Sequence, residues 1–341
     1  MGNMRLLITG GSGFIGTNLV QDMLDKGVEV LNLDWNPPLK AAHQPWWREC
    51  DIMDKEGMAR LFGEFRPTHV VHLAARTDTD IQDDINAYRQ NHEGTKLLLE
   101  VVKATPGVER LVVTSTQFVC EAGYQPKDDL DFKPFTLYGE TKRRCELITR
   151  EAGLSCVWSI IRPTTIWGPW SLRYRDVMFK VMRKGLYFHP GKGRVIRSYG
   201  YVGNVVWQIG RILEAAPEVV QGKVFYVGDP PLDLRDWVEA ISKALVGRPV
   251  RYIPTWMVKS LAFTGDLLKA VHLPFPITSG RFRSMTTDYI TPMDRTESAL
   301  GKAPWSLAEG ARAMVDWYDT ESAVAVKPTL IDTRQKQEAG K

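Results

Sequence analysis

A glycine-rich turn near the N-terminus constrains the fold of this 341-residue chain more than any other feature. Residues 5–9 predict a short buried strand, and residues 14–26 predict a helix. Between them Gly10, Gly13 and Gly16 recur at every third position. A turn without Cβ atoms can adopt positive φ, and it lets phosphates approach the free N–H groups at the start of a helix. A strand, a glycine turn and a helix in this order favour a dinucleotide site over an ordinary turn.

The second predicted strand, residues 29–33, leads directly into an acidic residue, Asp34. At this distance from the glycines a carboxylate can accept hydrogen bonds from the ribose hydroxyls of adenosine. The same carboxylate repels a 2′-phosphate, so the pattern favours NAD over NADP. An aspartate that only caps a turn is the alternative.

The composition excludes several classes of function. The 44 basic and 40 acidic residues give a formal net charge of +4, which is mild and scattered and does not indicate a nucleic-acid partner. The four cysteines lack the C-x-x-C spacing of a zinc site, so we expect neither a metal nor a disulfide framework. Because the first strand begins almost at once, we expect no signal peptide and a cytoplasmic protein.

The most apolar stretch, residues 253–275, does not have the pattern of a membrane span. Lys259, Asp266, Lys269 and two prolines interrupt it. It predicts a packed pair of helices, and we expect no membrane span.

Strands and helices alternate along the first half of the chain. The further predicted strands cover residues 46–50, 69–73, 110–114 and 155–162, and the further helices cover residues 55–65, 83–104 and 138–152. This alternation predicts an α/β fold with a doubly wound, Rossmann-type parallel sheet, helices on both faces and ligands at the carboxyl ends of the strands.

The second half is less regular and predicts a smaller mixed α/β region that binds the substrate. Its predicted elements are helices over residues 173–184, 205–216 and 307–318, strands over residues 195–202 and 223–227, and a helix that starts at Asp233. We therefore expect an NAD-binding domain over residues 1–170, a substrate-binding region over residues 171–322 with some segments returning to the sheet, and a flexible tail over residues 323–341.

Several residues at predicted strand ends are candidates for contact with the cofactor. Asp51 follows the third strand and is placed to reach the adenine amino group, although an aspartate that simply starts a loop is the alternative. Ala74 and Ala75 follow the fourth strand, where small side chains let a backbone pass close to the cofactor.

Tyr138 and Lys142 are four residues apart on a predicted helix, so their side chains share one face. A tyrosine has a reference pKa of about 10, so a tyrosine that acts as a base at neutral pH needs positive charge nearby. Lys142 supplies such a charge and can also bind the nicotinamide ribose. Thr116, at the end of the fifth strand, could hold the substrate hydroxyl whose proton Tyr138 takes. The alternative to a catalytic pair is a structural one, in which the Tyr138 ring only stacks on the aliphatic part of the Lys142 side chain.

Together these motifs resemble those of extended short-chain dehydrogenases/reductases of the NAD-dependent epimerase/dehydratase family. The resemblance covers roughly residues 6–318, and its carriers are T-G-G-S-G-F-I-G at residues 9–16, Asp34, H-L-A-A at residues 72–75, Asn91 with Gly94 and Thr95, Ser115 with Thr116, residues 138–142, and Arg162, Pro163, Gly168 and Pro169. It implies NAD-linked hydride transfer at a hydroxyl-bearing carbon, with Thr116, Tyr138 and Lys142 as the catalytic set. It also implies a homodimer built on the helices over residues 83–104 and 138–152.

On this resemblance we expect cofactor contacts along the whole carboxyl edge of the sheet. The candidates are Gly10, Gly13, Phe14, Ile15, Gly16, Asp34, Asp51, Ile52, Leu73, Ala74, Ala75, Asn91, Tyr138, Lys142 and Pro163.

The substrate side resembles the family less closely. Residues 197–204, R-S-Y-G-Y-V-G-N, stand where many nucleotide-sugar enzymes have arginine, aspartate, two aromatic residues, valine and a final aspartate. Arg197 therefore resembles the arginine that pairs with a nucleotide diphosphate, and Arg281 or Arg283 could add a second contact. Ser198 and Asn204 depart from the pattern. The remaining candidates for the pocket are Trp167, Trp170 and Tyr174, which could equally be core residues.

The reaction that best fits the sequence is epimerisation of a nucleotide-diphosphate sugar through a transient keto sugar. Related dehydratases place acidic residues directly after the threonine, whereas Gln117 and Phe118 follow Thr116 here, which disfavours elimination. The alternative is an NAD-dependent dehydrogenase or ketoreductase of a hydroxysteroid-like or other apolar alcohol. A non-catalytic NAD-sensing or scaffold protein is a third reading, disfavoured by the intact catalytic set.

Overall fold

A computed structural model of the chain describes residues 4–79, 83–270, 273, 275 and 277–323. Its main feature is a seven-stranded, wholly parallel sheet. The strands of this sheet are β1 (Arg5–Thr9), β2 (Glu29–Asp34), β3 (Trp47–Glu49), β4 (His69–His72), β5 (Arg110–Thr114), β6 (Val157–Pro163) and β11 (Val224–Val227). Their order is β11-β6-β5-β4-β1-β2-β3, with every neighbouring pair parallel. The order reverses between β1 and β4, which is where ligands bind in sheets of this kind. The predicted fold class is confirmed.

Among the described residues, the other strands form three small ladders of two strands each. They are β7 (Thr165–Trp167) with β10 (Tyr199–Tyr201), β9 (Ile196–Arg197) with β12 (Leu232–Asp233), and β8 (Phe188–Pro190) with β13 (Arg251–Ile253).

Twelve α-helices lie within the part of the chain that the structure describes. They are α1 (Phe14–Asp25), α2 (Lys55–Phe65), α3 (Arg89–Ala104), α4 (Leu137–Glu151), α5 (Lys180–Arg183), α6 (Val202–Glu214), α7 (Pro217–Val220), α8 (Leu234–Val246), α9 (Thr255–Ala270), α10 (Ser279–Thr286), α11 (Asp294–Leu300) and α12 (Leu307–Ala323). Short 3-10 helices cover Ala41–Trp46, Ile85–Tyr88 and Gln117–Val119, and a π-helix covers Tyr174–Phe179.

The core has two halves because the sheet is buried on both faces. Leu6 and Ile8 of β1 pack into the half that contains α1 and α6, whereas Leu7 packs into the half that contains α2 and α3. This alternation follows from the two-residue period of a strand, and it explains why β1 is almost continuously apolar.

Segments of the second half return to the first. β11 pairs with β6, and α6 packs on α1. The division of the chain at residue 170 stays a prediction.

Several expected elements differ in the structure. The helix expected over residues 83–104 starts only at Arg89, because buried Tyr88 donates its hydroxyl to the carbonyl oxygen of Asp78 and a 3-10 turn capped by Asp84 precedes it. The strand expected over residues 195–202 is divided at Ser198, since β9 and β10 pair with different partners.

Other differences concern helices of the second half. The helix expected over residues 173–184 is partly a π-helix. Residues 253–275 contain one described helix, α9, and the helix that packs on it is α10. Asp233 caps α8 as expected, by accepting a hydrogen bond from the backbone nitrogen of Arg235. Helix α12 runs beyond residue 318 to Ala323, and residues 324–341 of the expected tail lie outside the described residues.

Among the described helices, none is long and apolar enough to cross a membrane.

Candidate active site

The glycine turn holds the end of β1 against the loop after β4. Gly10 has φ +74°, and a Cβ there would lie 2.5 Å from the backbone nitrogen of Ala74. A Cβ at Gly16 would overlap the carbonyl oxygen of Gly10 and would lie 2.6 Å from Cα of Gly11. The packing of the protein's own backbone therefore requires glycine at positions 10 and 16.

Gly13 differs, because the fold leaves room for a side chain there. It is exposed with φ −77°, and the nearest neighbour of an added Cβ is the carbonyl oxygen of Gly10 at 3.3 Å, a contact that a shift of a few tenths of an ångström relieves. As the N-cap of α1, Gly13 also brings no side-chain acceptor to the first-turn N–H groups. An open, uncapped helix start suits a diphosphate, so the residues present fit a dinucleotide.

Asp34 ends β2 beside the glycine turn. Its Oδ2 accepts a hydrogen bond from the backbone nitrogen of Ser12 at 3.1 Å, and its Oδ1 accepts one from Asn36 at 2.9 Å. Burial raises the pKa of this carboxyl, whereas these backbone hydrogen bonds act in the opposite direction. Each oxygen retains a further lone pair, so the carboxylate keeps acceptor capacity for ribose hydroxyls.

The loop after β4 is fixed by Thr9 and Asn91. The backbone nitrogens of Leu73 and Ala74 donate to the carbonyl oxygen and hydroxyl of Thr9 at 2.9 and 3.4 Å. The fully buried amide of Asn91 accepts from the backbone nitrogen of Arg76 at 2.8 Å and donates to the Arg76 carbonyl oxygen at 3.0 Å. Any effect of Asn91 on a cofactor is therefore indirect, through the position of this loop.

His72, which sequence reasoning used only as part of a motif, joins three elements. Its Nδ1 is 2.7 Å from the hydroxyl oxygen of Thr9 on β1, and its Nε2 is 2.9 Å from that of Thr95 on α3. Burial, and then the charge of Lys142, lower the pKa of His72 to about 3. His72 is thus a neutral structural residue at neutral pH.

The remaining cofactor candidates also lie along the carboxyl edge of the sheet. Phe14 and Ile15 are the half-buried first residues of α1, and Pro163 is the last residue of β6. Asp51 is exposed and accepts a hydrogen bond from the backbone nitrogen of Met53, while Ile52 is packed against Gly94 of α3. Their roles stay predictions.

Helix α4 carries Tyr138 and Lys142 to the end of β5. Thr136 caps α4, so Tyr138 lies in its first turn. Lys142 Nζ donates to the carbonyl oxygen of Thr114 at 2.7 Å, and the side chains of Thr116 and Tyr138 are hydrogen-bonded. The structure therefore brings together the three residues that the sequence singled out as catalytic candidates.

Burial dominates the electrostatics of this group. It raises the pKa of the Tyr138 phenol, which the hydrogen bond to Thr116 partly offsets, and it lowers the pKa of the Lys142 ammonium. A Tyr138 phenolate consequently depends on positive charge in its surroundings.

The residues after Thr116 bring no carboxylate to this position. Gln117 is buried and donates through Nε2 to the hydroxyl of Thr165 at 3.0 Å. The ring of Phe118 meets the Tyr138 ring edge-on, with 6.3 Å between centroids.

Sequence reasoning missed Glu146, which lies on the same face of α4 as Tyr138 and Lys142. It is fully buried and forms a bidentate ion pair with Arg162 on β6, with N···O distances of 2.8 and 2.9 Å. The Ser115 hydroxyl donates to the same carboxylate at 2.5 Å. Burial opposes the charge of Arg162, but its bond to Glu146 outweighs this and raises the pKa of the guanidinium. The four-residue spacing from Lys142 was the available signal.

Arg197 lies buried on strand β9, and its Nε donor has no partner among the described residues. It is 8% exposed, and its Nη1 donates to the carbonyl oxygen of Thr287 at 3.1 Å. Its buried Nε has no hydrogen-bond partner among the residues that the structure describes. The guanidinium lies 5.5 Å from the centroid of the Tyr289 ring, which stacks at 6.2 Å on Phe118. Two aromatic rings therefore separate Arg197 from Tyr138.

The other substrate candidates differ in burial, from an exposed arginine to a tryptophan in the core. Arg283 is exposed on α10, four residues before Thr287. Trp167 is wholly buried against Tyr201 and Trp237, so it belongs to the core. Trp170 packs on Trp317 of α12. Tyr174 keeps partial exposure beside Trp237.

The two departures from the family pattern make structural hydrogen bonds. The Ser198 hydroxyl accepts from the backbone nitrogen of Thr291 at 2.9 Å. The Asn204 amide donates to Asp229 Oδ1 at 2.7 Å and to the Trp305 carbonyl oxygen at 2.8 Å. Burial raises the pKa of the Asp229 carboxyl to about 6, although hydrogen bonds from the Tyr201 backbone and the Asn204 side chain act in the opposite direction.

The two kinds of glycine predict opposite results for alanine substitution. Gly16→Ala should lower the free energy of unfolding by about 1–3 kcal/mol, because the new Cβ overlaps backbone atoms. Gly13→Ala should leave that free energy nearly unchanged but weaken NAD binding at least tenfold. Denaturant titration and calorimetric NAD titration measure the two quantities, and equal NAD affinity for Gly13→Ala and the parent would contradict the assignment.

Loss of the Glu146 charge should destabilise the protein strongly. Glu146→Gln leaves Arg162 buried without its counter-charge, and we expect a loss of about 3–5 kcal/mol in the free energy of unfolding. Glu140→Gln is the matched control on the same helix, because Glu140 pairs with Arg143 and Arg144 near the surface and should cost at most about 1 kcal/mol. Similar urea midpoints for the two variants would refute this view of Glu146.

Known proteins resemble the chain along most of its length. Sterol-4-alpha-carboxylate 3-dehydrogenase, decarboxylating, of Mus musculus is 28% identical over 285 residues, which are 79% of this chain and 77% of that protein. N-acetyl-alpha-D-glucosaminyl-diphospho-ditrans,octacis-undecaprenol 4-epimerase of Escherichia coli O157:H7 is 26% identical over 322 residues, 90% of this chain and 93% of the other.

A solved structure and a family model agree with these relatives. The structure of UDP-glucose 4-epimerase from Thermus thermophilus, in complex with NAD, superimposes with a TM-score of 0.70 at 25% identity and covers 93% of this chain and 99% of that one. The model of the NAD dependent epimerase/dehydratase family matches residues 6–228. The resemblance drawn from the motifs is thereby confirmed, and the chain belongs to the NAD dependent epimerase/dehydratase family.

Proposed function

We propose that this protein is an NAD-dependent epimerase of a sugar carried on a nucleotide diphosphate, working through a transient keto sugar. The observation that carries the proposal is the arrangement of Tyr138 and Arg197 at the two ends of one aromatic path. A tyrosine with a neighbouring lysine suits a sugar hydroxyl, and a buried arginine with an unused donor suits a diphosphate.

The cofactor would lie across the carboxyl edge of the sheet. Its diphosphate would meet the open start of α1 at Gly13, and its adenosine ribose would meet Asp34. The chemistry that bound NAD supplies here is hydride acceptance by a positively charged ring.

The side chains around Tyr138 would handle the proton. Thr116 would hold the sugar hydroxyl, and Tyr138 would take its proton during oxidation and return it to the same oxygen during reduction. Lys142 would stabilise the phenolate and bind the nicotinamide ribose. Burial keeps water away from this exchange, which protects the keto sugar.

Arg197 would hold the diphosphate far from the reacting carbon, so that the sugar ring could turn over between the two hydride transfers. Arg283 is proposed as a second cation for the same diphosphate, from its position four residues before Thr287. The UDP-glucose 4-epimerase of T. thermophilus among the similar proteins supports a sugar nucleotide as the substrate. The E. coli epimerase is named for a sugar on diphospho-undecaprenol, so it supports epimerisation of a diphosphate-linked sugar but not the nucleotide.

The alternative is a one-way NAD-dependent dehydrogenase or ketoreductase of an apolar alcohol, which the similarity to the mouse sterol dehydrogenase favours. Cofactor retention distinguishes the two, because an epimerase regenerates its NAD in each turnover and should purify with it bound. A dehydrogenase should need added NAD.

The expected homodimer remains part of the proposal, with α3 and α4 as the interface. These two helices pack side by side on one face of the sheet, as a four-helix contact between two subunits would require. The cytoplasmic location is proposed from the four cysteines, which are all free and buried.

Tyr138→Phe should abolish epimerisation while leaving the fold and NAD affinity nearly intact. Loss of a general base lowers rates by about 10²- to 10⁴-fold. Turnover of UDP- and dTDP-sugars measures the effect, with Tyr252→Phe, which loses only a hydroxyl bonded to Glu239, as the control. Activity of Tyr138→Phe within a few-fold of the parent would contradict its role as the base.

Arg197→Ala should raise KM for the sugar nucleotide by about ten- to a hundredfold and change kcat less, because the diphosphate changes little in the transition state. Arg194→Ala, an exposed arginine three residues earlier, is the control. Thermal unfolding of each variant checks the fold. An unmoved KM would exclude Arg197 as the diphosphate ligand, and turnover of a sterol instead of a sugar nucleotide would exclude the epimerase proposal itself.

A further inference from the structure

Helix α9 exposes several large apolar side chains on one face. Trp256, Phe263 and Leu267 are 69%, 65% and 57% exposed. Their spacing of seven and four residues places them on one helical face, and exposed Met257 and Leu261 flank them. Large apolar side chains that are exposed together on one face indicate an interaction site, whereas single exposed ones are ordinary on a globular protein.

The opposite face of α9 is already used by the fold. Val258 and Ala262 are buried, and a Cβ at Gly265 would overlap the carbonyl oxygen of Ile277. Asp266 Oδ1 accepts a hydrogen bond from the backbone nitrogen of Ser279 at 3.1 Å, which ties α9 to the start of α10. The apolar row therefore points away from a helix that is fixed on its other side.

This part of the chain also holds the excess of positive charge. Residues 240–287 contain seven lysines and arginines and one acid, so this segment carries +6 within a chain of net charge +4. The excess positive charge is thus concentrated in this segment rather than scattered along the chain. Lys259 lies on the apolar face, three residues after Trp256 and four before Phe263, and Arg283 is exposed on α10.

We propose that the exposed face of α9 docks on the surface of an anionic phospholipid bilayer, with the helix parallel to the membrane plane. Tryptophan, phenylalanine and leucine enter the boundary between headgroups and acyl chains, and lysine and arginine pair with lipid phosphates. Both requirements meet on α9 and α10.

A second copy of the chain fits this face less well. A two-fold contact through the exposed face of α9 would bring Lys259 of one subunit towards Lys259 of the other. The positive charge calls for an anionic partner, and the apolar row calls for one with an apolar interior. Arg283 is also proposed above as a second cation for the substrate diphosphate, but the apolar side chains of α9 and Lys259 take part in no step of the proposed reaction.

Vesicle sedimentation of the full chain tests the proposal. Binding should occur to vesicles of phosphatidylglycerol and phosphatidylcholine, weaken in high salt, and be absent with phosphatidylcholine alone. The triple variant Trp256→Ser, Phe263→Ser, Leu267→Ser should lower the partition coefficient at least tenfold, and Lys259→Ala should lower it about fivefold. Leu130→Ser, at another exposed leucine, should leave it unchanged.

Two further measurements distinguish loss of membrane binding from misfolding and from dimerisation. Thermal unfolding identifies a folding defect in the triple variant, in which case Lys259→Ala alone decides. Light scattering reports on the alternative occupant, because a dimer that the triple variant converts to a monomer would mean that a second copy covers this face. Equal vesicle binding by the parent, the triple variant and Lys259→Ala, or no binding by the parent, would overturn the proposal.

Discussion

The buried ion pair of Glu146 and Arg162 fixes the geometry on which the rest of the site depends. Two fully buried charges are costly to remove from water, and five hydrogen bonds offset that cost, including those from Ser115 to Glu146 and from Arg162 to Tyr226 and the Asp129 carbonyl oxygen. The pair joins α4 to β6 and to the segment that ends in Thr116. The positions of Tyr138, Lys142 and Thr116 relative to one another therefore depend on the Glu146–Arg162 ion pair, in which none of the three takes part.

The first half of the chain could be predicted well because its signals are local. The strand, glycine turn and helix of residues 5–25 are adjacent in sequence, and the family model that matches residues 6–228 confirms the resemblance that they indicate. The pairing of Glu146 with Arg162 could not be foreseen, because it joins residues on different elements. The expected start of the helix at residue 83 was wrong for a similar reason. Helix α3 begins at Arg89, because the hydroxyl of Tyr88 is bonded to Asp78, ten residues away.

The second half was predicted less well because its contacts are long-range. Ser198 divides an apparently continuous strand, and its backbone nitrogen donates to the carbonyl oxygen of Tyr289, about ninety residues along the chain. Hydrophobicity could not distinguish Trp167, which is core, from Tyr174, which keeps partial exposure. Arg197 stays a candidate from its motif, and its burial and unpaired Nε are visible only in the folded structure, because they depend on long-range packing.

Asn204 has a consequence for how this chain can change over time. An aspartate at this position, as in the related pattern, would set a second carboxylate against buried Asp229, and one of the two would have to hold a proton. The amide avoids this repulsion and also bonds the backbone of Trp305 in both directions. The effect of a substitution at position 204 should therefore depend on the residue at position 229. An aspartate at position 204 fits this fold only where residue 229 is uncharged or one of the two carboxyls holds a proton.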